Sequence, residues 1–202
     1  MRDSSFSNRE VLIEASLNEF INYSYEKASL NRIIKNAGIS KGTFYYHFKN
    51  KEDLYKHLLE TGAKEKWDFI NKYAQENQAD LTSMDLFDKF MYHAKSGTIY
   101  ANKHPKYNKL GSMFAKEKGT SIYDTIIKEV GGDSTNTLKT MVHMAYESGE
   151  LDTTYSEDFI FKILHSLFSN FDEIFKDERE LGKILTNLNE YVRFMKNGLK
   201  SQ

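Results

Sequence analysis

Proline is almost absent from this chain: Pro105 is the single one among 202 residues, and glycine occurs only 11 times. A β-protein needs many tight turns, and such turns are rich in proline and glycine. Apolar residues instead recur at the three- and four-residue spacing of helices along nearly the whole chain. We therefore predict an all-α protein of about nine helices, with Pro105 at the first position of one of them.

Composition narrows the class of protein further. The chain has no cysteine, which excludes disulfides, thiolate metal sites and cysteine nucleophiles. No apolar run approaches the roughly 18 residues that a membrane-spanning helix needs. We therefore expect a cytoplasmic protein that makes no membrane contact. The formal net charge is -1, so any affinity for a polyanion must come from a local group of charges.

Start and end signals mark two short helices in the first quarter of the chain. Ser29 is a suitable N-cap for one helix, which ends at Gly38. Ser40 opens the next helix, which reaches about Phe48. Two short helices joined by a tight turn that contains glycine form the helix-turn-helix plan.

Longer helices flank this pair. The first helix is predicted over residues 8–23, and Asn50 with Asp53 caps a fourth helix that continues to about Tyr73. Two long amphipathic helices lie near the end of the chain, over about 156–198. Their broad apolar faces suit an intramolecular core and also suit self-association, so both interpretations stay open.

Basic residues are concentrated around the two short helices. Between Lys27 and Lys51 there are six lysines and arginines and no aspartate or glutamate, and acidic residues return on either side at Glu26 and Glu52. Such a window can supply phosphate contacts and release counterions from DNA. The same run also suits an ordinary solvated surface, so these charges alone do not identify DNA as the partner.

The composition of the third helix costs stability. Glycine in a helix interior costs about 1 kcal/mol relative to alanine, and a lysine in the first turn opposes the helix dipole. Ile39, Phe44 and Phe48 fit an inward apolar stripe. The remaining positions are Lys41, Gly42, Thr43, Tyr45, Tyr46 and His47. These groups can donate to phosphates, contact thymine methyl groups and reach base edges. Gly42 either lets the backbone approach a duplex closely or is merely a tolerated helix glycine.

Helix starts in this region suit phosphate binding. The free N–H groups of a helix N-terminus bind phosphate, and helices start at Ser29 and near Asn50. Lys51 in a first turn is unfavourable unless an anion lies nearby, which indicates phosphate. Glu52 and Asp53 offer the alternative explanation, because they offset the lysine charge.

Residues 8–60 resemble the DNA-binding domain of the tetracycline-repressor (TetR) family of bacterial regulators. The resemblance is densest over 18 consecutive residues, Ala37–Leu54, which read AGISKGTFYYHFKNKEDL. Two positions depart from the family pattern. Ser24 stands where glycine usually precedes the aromatic residue, and Ala28 stands where threonine is common.

This resemblance implies an all-helical homodimer with a three-helix helix-turn-helix head in residues 1–66. Residues 67–202 would form a larger domain for ligand binding and dimerisation, and the last two helices, about 156–198, would form the dimer interface. By similarity, the groups that face bases are Lys41, Gly42, Thr43 and Tyr45, with Asn31 from the second helix. The groups that bind phosphate are Ser29, Tyr46, His47 and Lys51, and Ser40 completes the predicted DNA-contacting set.

The function that follows is a sequence-specific transcriptional regulator that binds a palindromic double-stranded DNA operator. In a dimer, the two third helices would enter successive major grooves, roughly 34–36 Å apart. A repressor released by a small-molecule effector is the first interpretation. Activation, and constitutive binding without an effector, stay open.

An effector pocket is much less visible than the DNA-contacting set. Aromatic, methionine and histidine residues in the second domain can line an apolar pocket with a few polar groups, although plain core packing is the first interpretation for each of them. The residues singled out are Trp67, His93, Tyr100, Phe114, His143 and Tyr146. Trp67 is the first choice because it follows the fourth helix into the predicted regulatory domain.

Two other classes of protein fit the sequence less well. Metalloprotease, serine hydrolase, phosphate-loop and dinucleotide-binding motifs do not occur. We therefore predict no catalytic residue, no metal site and no cofactor. A helical adaptor that binds only protein would leave the basic window unexplained.

Overall fold

The computed structural model describes residues 4–78, 80–130, 134–175, 177–178 and 180–199, which fold as helices joined by loops. These residues form ten helices, in line with the prediction of about nine, and no strand element. The helices are α1 (Ser4–Phe20), α2 (Leu30–Ala37), α3 (Lys41–His47), α4 (Lys51–Glu76), α5 (Leu86–Lys103), α6 (Pro105–Ala115), α7 (Ser121–Val130), α8 (Ser134–Glu147), α9 (Glu157–Ile174) and α10 (Leu181–Leu199). The predicted all-α class is confirmed.

The bounds of α2 and α3 agree with their sequence signals. The Ser29 hydroxyl oxygen accepts a hydrogen bond from the Arg32 N–H at 3.4 Å. Gly38 ends α2 with φ of 67°, in the left-handed region that favours glycine. The Ser40 hydroxyl then accepts from the Thr43 N–H at 3.0 Å and caps α3.

The longer helices differ more from prediction. Asn50 caps α4 by accepting from the Asp53 N–H at 2.8 Å, while the Asp53 carboxylate accepts from the Lys49 N–H at 2.9 Å. α1 begins at Ser4 and ends at Phe20, so the predicted range 8–23 is wrong at both ends. α1 ends early because the next residues turn, and the N–H groups of residues 22 and 23 both bond to one carbonyl, that of residue 19.

The chain divides into two compact units. The first unit comprises Met1–Trp67 and Lys103–Gly131, so α6 and α7 belong with the helix-turn-helix. Its core includes Leu12, Phe20, Ile33, Phe44, Leu54, Tyr55 and Leu58, together with Leu110, Ile122 and Ile126 of α6 and α7. The sequence predicted one regulatory domain over 67–202; the functional division of the chain stays a prediction.

A close approach between α4 and α6 helps to build the first unit. A Cβ atom at Gly62 of α4 would lie 2.7 Å from Cδ1 of Tyr107 of α6. Real Cβ atoms do not approach a ring carbon so closely, so this packing requires glycine. Burial of the Tyr107 ring also raises the pKa of its hydroxyl.

The second unit comprises Asp68–Asn102 and Gly132–Gln202. Its core includes Phe87, Val142, Leu151, Ile160, Leu164, Leu188, Val192 and Met195. Lys196 of α10 forms ion pairs with Asp85 at 2.7 Å and Asp88 at 3.1 Å, which ties α10 to the start of α5. Among the helices described, none combines the length and the apolar character needed to cross a bilayer.

Candidate nucleic-acid interface

α3 presents a buried apolar side and an exposed polar side. Phe44 is fully buried, Phe48 is 5 % exposed, and Ile39 packs against the same core, as the sequence predicted. On the other side, Tyr45 is 58 % exposed and Tyr46 is 80 % exposed. We call Lys41, Gly42, Thr43, Tyr45, Tyr46 and His47 the polar face of α3. Lys41 and Gly42 are exposed, and Thr43 and His47 are half-buried.

Neighbouring side chains on α3 support the polar face. The Tyr45 ring packs edge-on against Phe44, with ring centroids 5.1 Å apart. The Tyr46 ring packs edge-on against His47 at 5.0 Å. The Ser40 and Thr43 hydroxyls lie 3.0 Å apart. These contacts restrict the side chains before any partner arrives, which lowers the entropy lost on binding.

Packing within the protein does not explain Gly42. A Cβ atom there would meet only the Ser40 hydroxyl oxygen, at an ordinary contact distance of 3.6 Å. Gly42 also does not have the positive φ seen at Gly38. Since neither sterics nor conformation requires glycine here, the role of Gly42 stays a prediction, either close approach to a duplex or a tolerated helix glycine.

Three lysines belong to the polar face or to the basic window that contains it. Among the residues that the structure describes, no ion pair involves Lys35, Lys41 or Lys49, and all three are exposed. Asn31 is exposed on α2. The local charge is therefore positive and accessible, as phosphate binding requires.

Lys51 has internal partners that the sequence did not reveal. Its ammonium group donates to the Tyr25 carbonyl at 2.7 Å and to the Ala28 carbonyl at 3.1 Å. It also lies 4.3 Å from the centre of the Tyr25 ring. Burial lowers the pKa of this ammonium group, against the opposing charges of Glu26 and Glu19. A phosphate contact from Lys51 stays a prediction. The two carbonyl acceptors already explain why a lysine is tolerated in the first turn of α4, without any external anion.

Glu19 is the residue near this site that sequence reasoning missed. It is 4 % exposed, and its carboxylate accepts from the Arg32 side chain at 2.5 and 2.9 Å and from the Ser29 N–H at 2.7 Å. Burial opposes ionisation, but these hydrogen bonds hold the pKa of Glu19 below its ordinary value. Its signal in the sequence was an acidic residue at helical spacing from the inward-facing Leu12 and Ala15.

Glu19 changes what its two partners can offer to DNA. The positive charge of Arg32 is paired, and its guanidinium also donates to the Lys27 carbonyl at 2.9 Å. The Ser29 N–H is occupied, so the Ser29 hydroxyl is the group left for the predicted phosphate contact. The charge of Arg32 and the N–H of Ser29 are therefore both used within the protein.

The six predicted effector-binding residues lie in different environments. Phe114 belongs to the first unit, where its ring packs against Tyr55 and Tyr123. Trp67 is 54 % exposed. In the second unit, Tyr100 is 2 % exposed and contacts the Phe69 ring at 5.7 Å.

The other three candidates also lie in the second unit. His93 is half-buried beside the Tyr92 ring. The Tyr146 hydroxyl donates to the Tyr155 carbonyl at 3.1 Å. His143 is exposed, and its Nδ1 lies 3.2 Å from both carboxylate oxygens of Glu157. A shared effector pocket stays a prediction for these residues.

His143 also belongs to a small group of charged residues on α8 and α9. Glu147 lies one turn further along α8, and the donor atoms of His143, Glu147 and Glu157 lie within 4.8 Å of one another. The i, i+4 spacing of His143 and Glu147 was visible in the sequence. Exposed charged groups of this kind are commonly only solvated.

The helix-turn-helix region of the chain is similar to a family of bacterial regulators. Residues 12–58 match the family model described as bacterial regulatory proteins, tetR family. The HTH-type transcriptional regulator YwcC of Bacillus subtilis is 34 % identical over 104 residues, which cover 50 % of this chain and 45 % of that regulator. The chain therefore spans less than half the length of this curated relative.

Other similarities extend over more of the chain. A protein of Escherichia coli K12 named "Probable acrEF/envCD operon repressor" is 22 % identical over 82 % of this chain and 74 % of its own length. A crystal structure of a TetR family transcriptional regulator from Chloroflexus aurantiacus has a TM-score of 0.72 at 19 % identity, covering 96 % of this chain and 94 % of that one. At that identity the structural likeness shows the fold alone.

Proposed function

We propose that the chain is a member of the tetR family of bacterial regulatory proteins and a sequence-specific transcriptional regulator that binds duplex DNA through α3. The observation that supports this best is the polar face of α3. A short helix exposes Lys41, Tyr45 and Tyr46, while Phe44 and Phe48 fix it to the core from behind. Lysine and tyrosine side chains on an exposed helix suit phosphate and base-edge contacts in a major groove.

The direction of regulation is proposed as repression. The Escherichia coli relative that spans most of this chain carries the name of an operon repressor. A regulator that occupies an operator in its effector-free form blocks transcription without any further contact. Effector binding would then favour a conformer that binds DNA less tightly, and a coupling of about 1–3 kcal/mol would lower DNA affinity 5–150-fold.

Self-association is proposed through the last two helices. α9 exposes Phe159, Ile163 and Ile174, which are 46 %, 37 % and 54 % exposed, and we call these three residues the apolar face of α9. On α10, Phe194 is 70 % exposed. Exposed hydrocarbon on both of these helices suits an interaction surface. A homodimer would place two copies of α3 on a palindromic operator.

An effector site is proposed in the second unit, where several aromatic rings meet. Phe69 contacts Tyr73 at 6.2 Å and Tyr100 at 5.7 Å, and Tyr73 contacts Tyr92 at 5.8 Å. Among the described residues, the buried Tyr92 hydroxyl has no hydrogen-bond partner. An unsatisfied hydroxyl beside aromatic rings suits an apolar effector that carries one hydrogen-bonding group.

DNA selection by the purified protein tests the central proposal. A randomised duplex pool enriched over several rounds should yield a palindromic sequence, which fluorescence anisotropy then shows to bind far more tightly than unrelated DNA. A pool that remains random after selection would contradict sequence-specific binding.

A further inference from the structure

The loop between α1 and α2 is bound by charged side chains. We define the α1–α2 loop as residues 21–29. Lys51 donates to its carbonyls at Tyr25 and Ala28, and Arg32 donates to its carbonyl at Lys27. The Ser29 N–H donates to the Glu19 carboxylate, as described above. All of these charged groups come from α1, α2 and α4, which belong to the head itself.

Glu117 binds the same loop from elsewhere in the sequence. Its carboxylate accepts from the Tyr25 N–H at 2.7 Å, although the two residues are 92 positions apart. The N–H and the carbonyl of Tyr25 are thus both bound by charged side chains, Glu117 on one side and Lys51 on the other. Glu117 is 9 % exposed, and a buried carboxylate is costly unless it accepts hydrogen bonds.

Local hydrogen bonds hold the segment that carries Glu117. We define the α6–α7 corner as residues 116–120. The Glu117 N–H donates to the Phe114 carbonyl at 2.9 Å. The Glu117 carbonyl accepts from the Thr120 N–H at 2.9 Å and from the Thr120 hydroxyl at 2.7 Å. The carboxylate therefore projects from a fixed turn and not from a free loop.

Packed aromatic rings form a second connection between the α1–α2 loop and helices α6 and α7, besides the Glu117–Tyr25 hydrogen bond. The Tyr25 ring lies 5.1 Å from Tyr55 of α4, and Tyr55 lies 6.3 Å from Phe114 of α6. Phe114 in turn stacks on Tyr123 of α7 at 4.9 Å. A displacement of α6 or α7 would therefore move the α1–α2 loop through packed rings as well as through Glu117.

We propose that Glu117 is a positioning residue for DNA binding. By fixing Tyr25, the α6–α7 corner sets the α1–α2 loop and with it Ser29, which caps α2 and presents its hydroxyl for phosphate. DNA affinity then depends on the placement of α6 and α7. Their segment, Lys103–Gly131, continues into the second unit at both ends, which gives a route for regulation. This inference rests on the proposed function, since it assumes that the head binds DNA.

Two substitutions at Glu117 separate positioning from general stability. Glu117→Ala removes the acceptor, whereas Glu117→Gln keeps an amide oxygen that can accept the same N–H. Glu14→Ala is the matched control, because Glu14 pairs with Lys106 of α6 in the same unit but on the surface. If Glu117→Ala does not fold, Glu117→Asp replaces it, because the aspartate side chain is one methylene too short to reach the Tyr25 N–H.

The first measurement is hydrogen exchange of the Tyr25 amide in the full chain without DNA. We expect Glu117→Ala to raise the exchange rate about 10-fold or more, because a buried bond to a charged acceptor is lost. Glu117→Gln and Glu14→Ala should stay near the wild-type rate. Equal Tyr25 protection in all four proteins would overturn the proposal.

The second measurement is affinity for the duplex that the wild type selects and for an unrelated duplex. We expect Glu117→Ala to lower affinity for both duplexes by a similar factor, roughly 10-fold, because a phosphate contact carries no sequence information, and we expect Glu117→Gln to restore it. Unchanged affinity for both duplexes, or failure of glutamine to rescue, would reduce Glu117 to a structural role. If the wild type selects no sequence, the proposed function fails instead, and the exchange measurement still tests the Glu117–Tyr25 contact.

Discussion

The polar face of α3 and the apolar face of α9 are both exposed, but they differ in chemistry. On α3, the exposed rings of Tyr45 and Tyr46 carry hydroxyl groups and lie beside Lys41. On α9, Phe159 and Ile163 expose hydrocarbon alone. A surface that mixes rings, donors and a cation suits nucleic acid, whereas bare hydrocarbon gains only by excluding water against another apolar surface. Two exposed faces therefore indicate two different partners.

Ile163→Asp should have the largest effect, because it would place an unpaired carboxylate in the proposed dimer interface. We expect self-association to weaken at least about 100-fold, which corresponds to about 3 kcal/mol. Sedimentation equilibrium measures this change. Met144→Asp is the control, since Met144 is 65 % exposed but lies on α8. An unchanged dimerisation constant for Ile163→Asp would remove α9 from the interface.

Tyr45→Ala tests the polar face of α3, as Ile163→Asp tests the apolar face of α9. We expect affinity for the selected duplex to fall by about 1–3 kcal/mol, with a smaller loss on unrelated DNA. Unfolding should change little because Tyr45 is 58 % exposed. Met144→Ala is the control, because Met144 is 65 % exposed and lies on α8 in the second unit, and it should leave DNA binding intact. Equal losses on both duplexes would mean that Tyr45 does not read sequence.

Lys41→Ala and Lys51→Ala test which cations of the head serve DNA. Lys41 is exposed and has no ion pair among the described residues, so its loss should flatten the salt dependence of DNA binding by about one counterion without lowering the unfolding free energy. Lys51→Ala should lower the unfolding free energy by about 1–2 kcal/mol, because two loop carbonyls lose their donor.

The salt slope of Lys51→Ala then decides whether Lys51 also binds phosphate. A slope equal to that of the wild type would leave Lys51 with a structural role only. A slope reduced by about one would add a phosphate contact to that role. Chemical denaturation and anisotropy at several salt concentrations give both quantities.

Gly42→Ala should stabilise the fold slightly and weaken DNA binding. Alanine is favoured over glycine in a helix by about 1 kcal/mol, and a Cβ at this position meets no steric obstacle in the protein. We expect slightly greater resistance to denaturant and weaker DNA binding. Unchanged affinity for the selected duplex would show that Gly42 is only a tolerated helix glycine.

The ends of α2 and α3 could be predicted from the sequence because their signals are local. Ser29, Gly38 and Ser40 act on atoms within a few residues of themselves, and each does in the structure what its residue type predicts. The inward position of Phe44 likewise follows from helical spacing alone. The early end of α1 was missed because its apolar spacing continues past Phe20, while the backbone turns away from the helix.

The free and bound charges of the head could not be predicted in this way. Counting residues gives six cations in the basic window, but packing pairs Arg32 with Glu19 and places Lys51 against two carbonyls. The membership of α6 and α7 in the first unit was equally invisible. Phe114 illustrates the point: its aromatic type suits a pocket, but its neighbours Tyr55 and Tyr123 depend on how distant helices meet.

The sequence alone therefore determined the helical class, the helix-turn-helix and the polar face of α3, because periodicity and capping act within one or two turns. Only the tertiary structure decided that Glu117 binds the loop of the head from 92 residues away. Such a contact depends on the relative placement of whole helices. That placement is set by the shared core and not by any local pattern of residues.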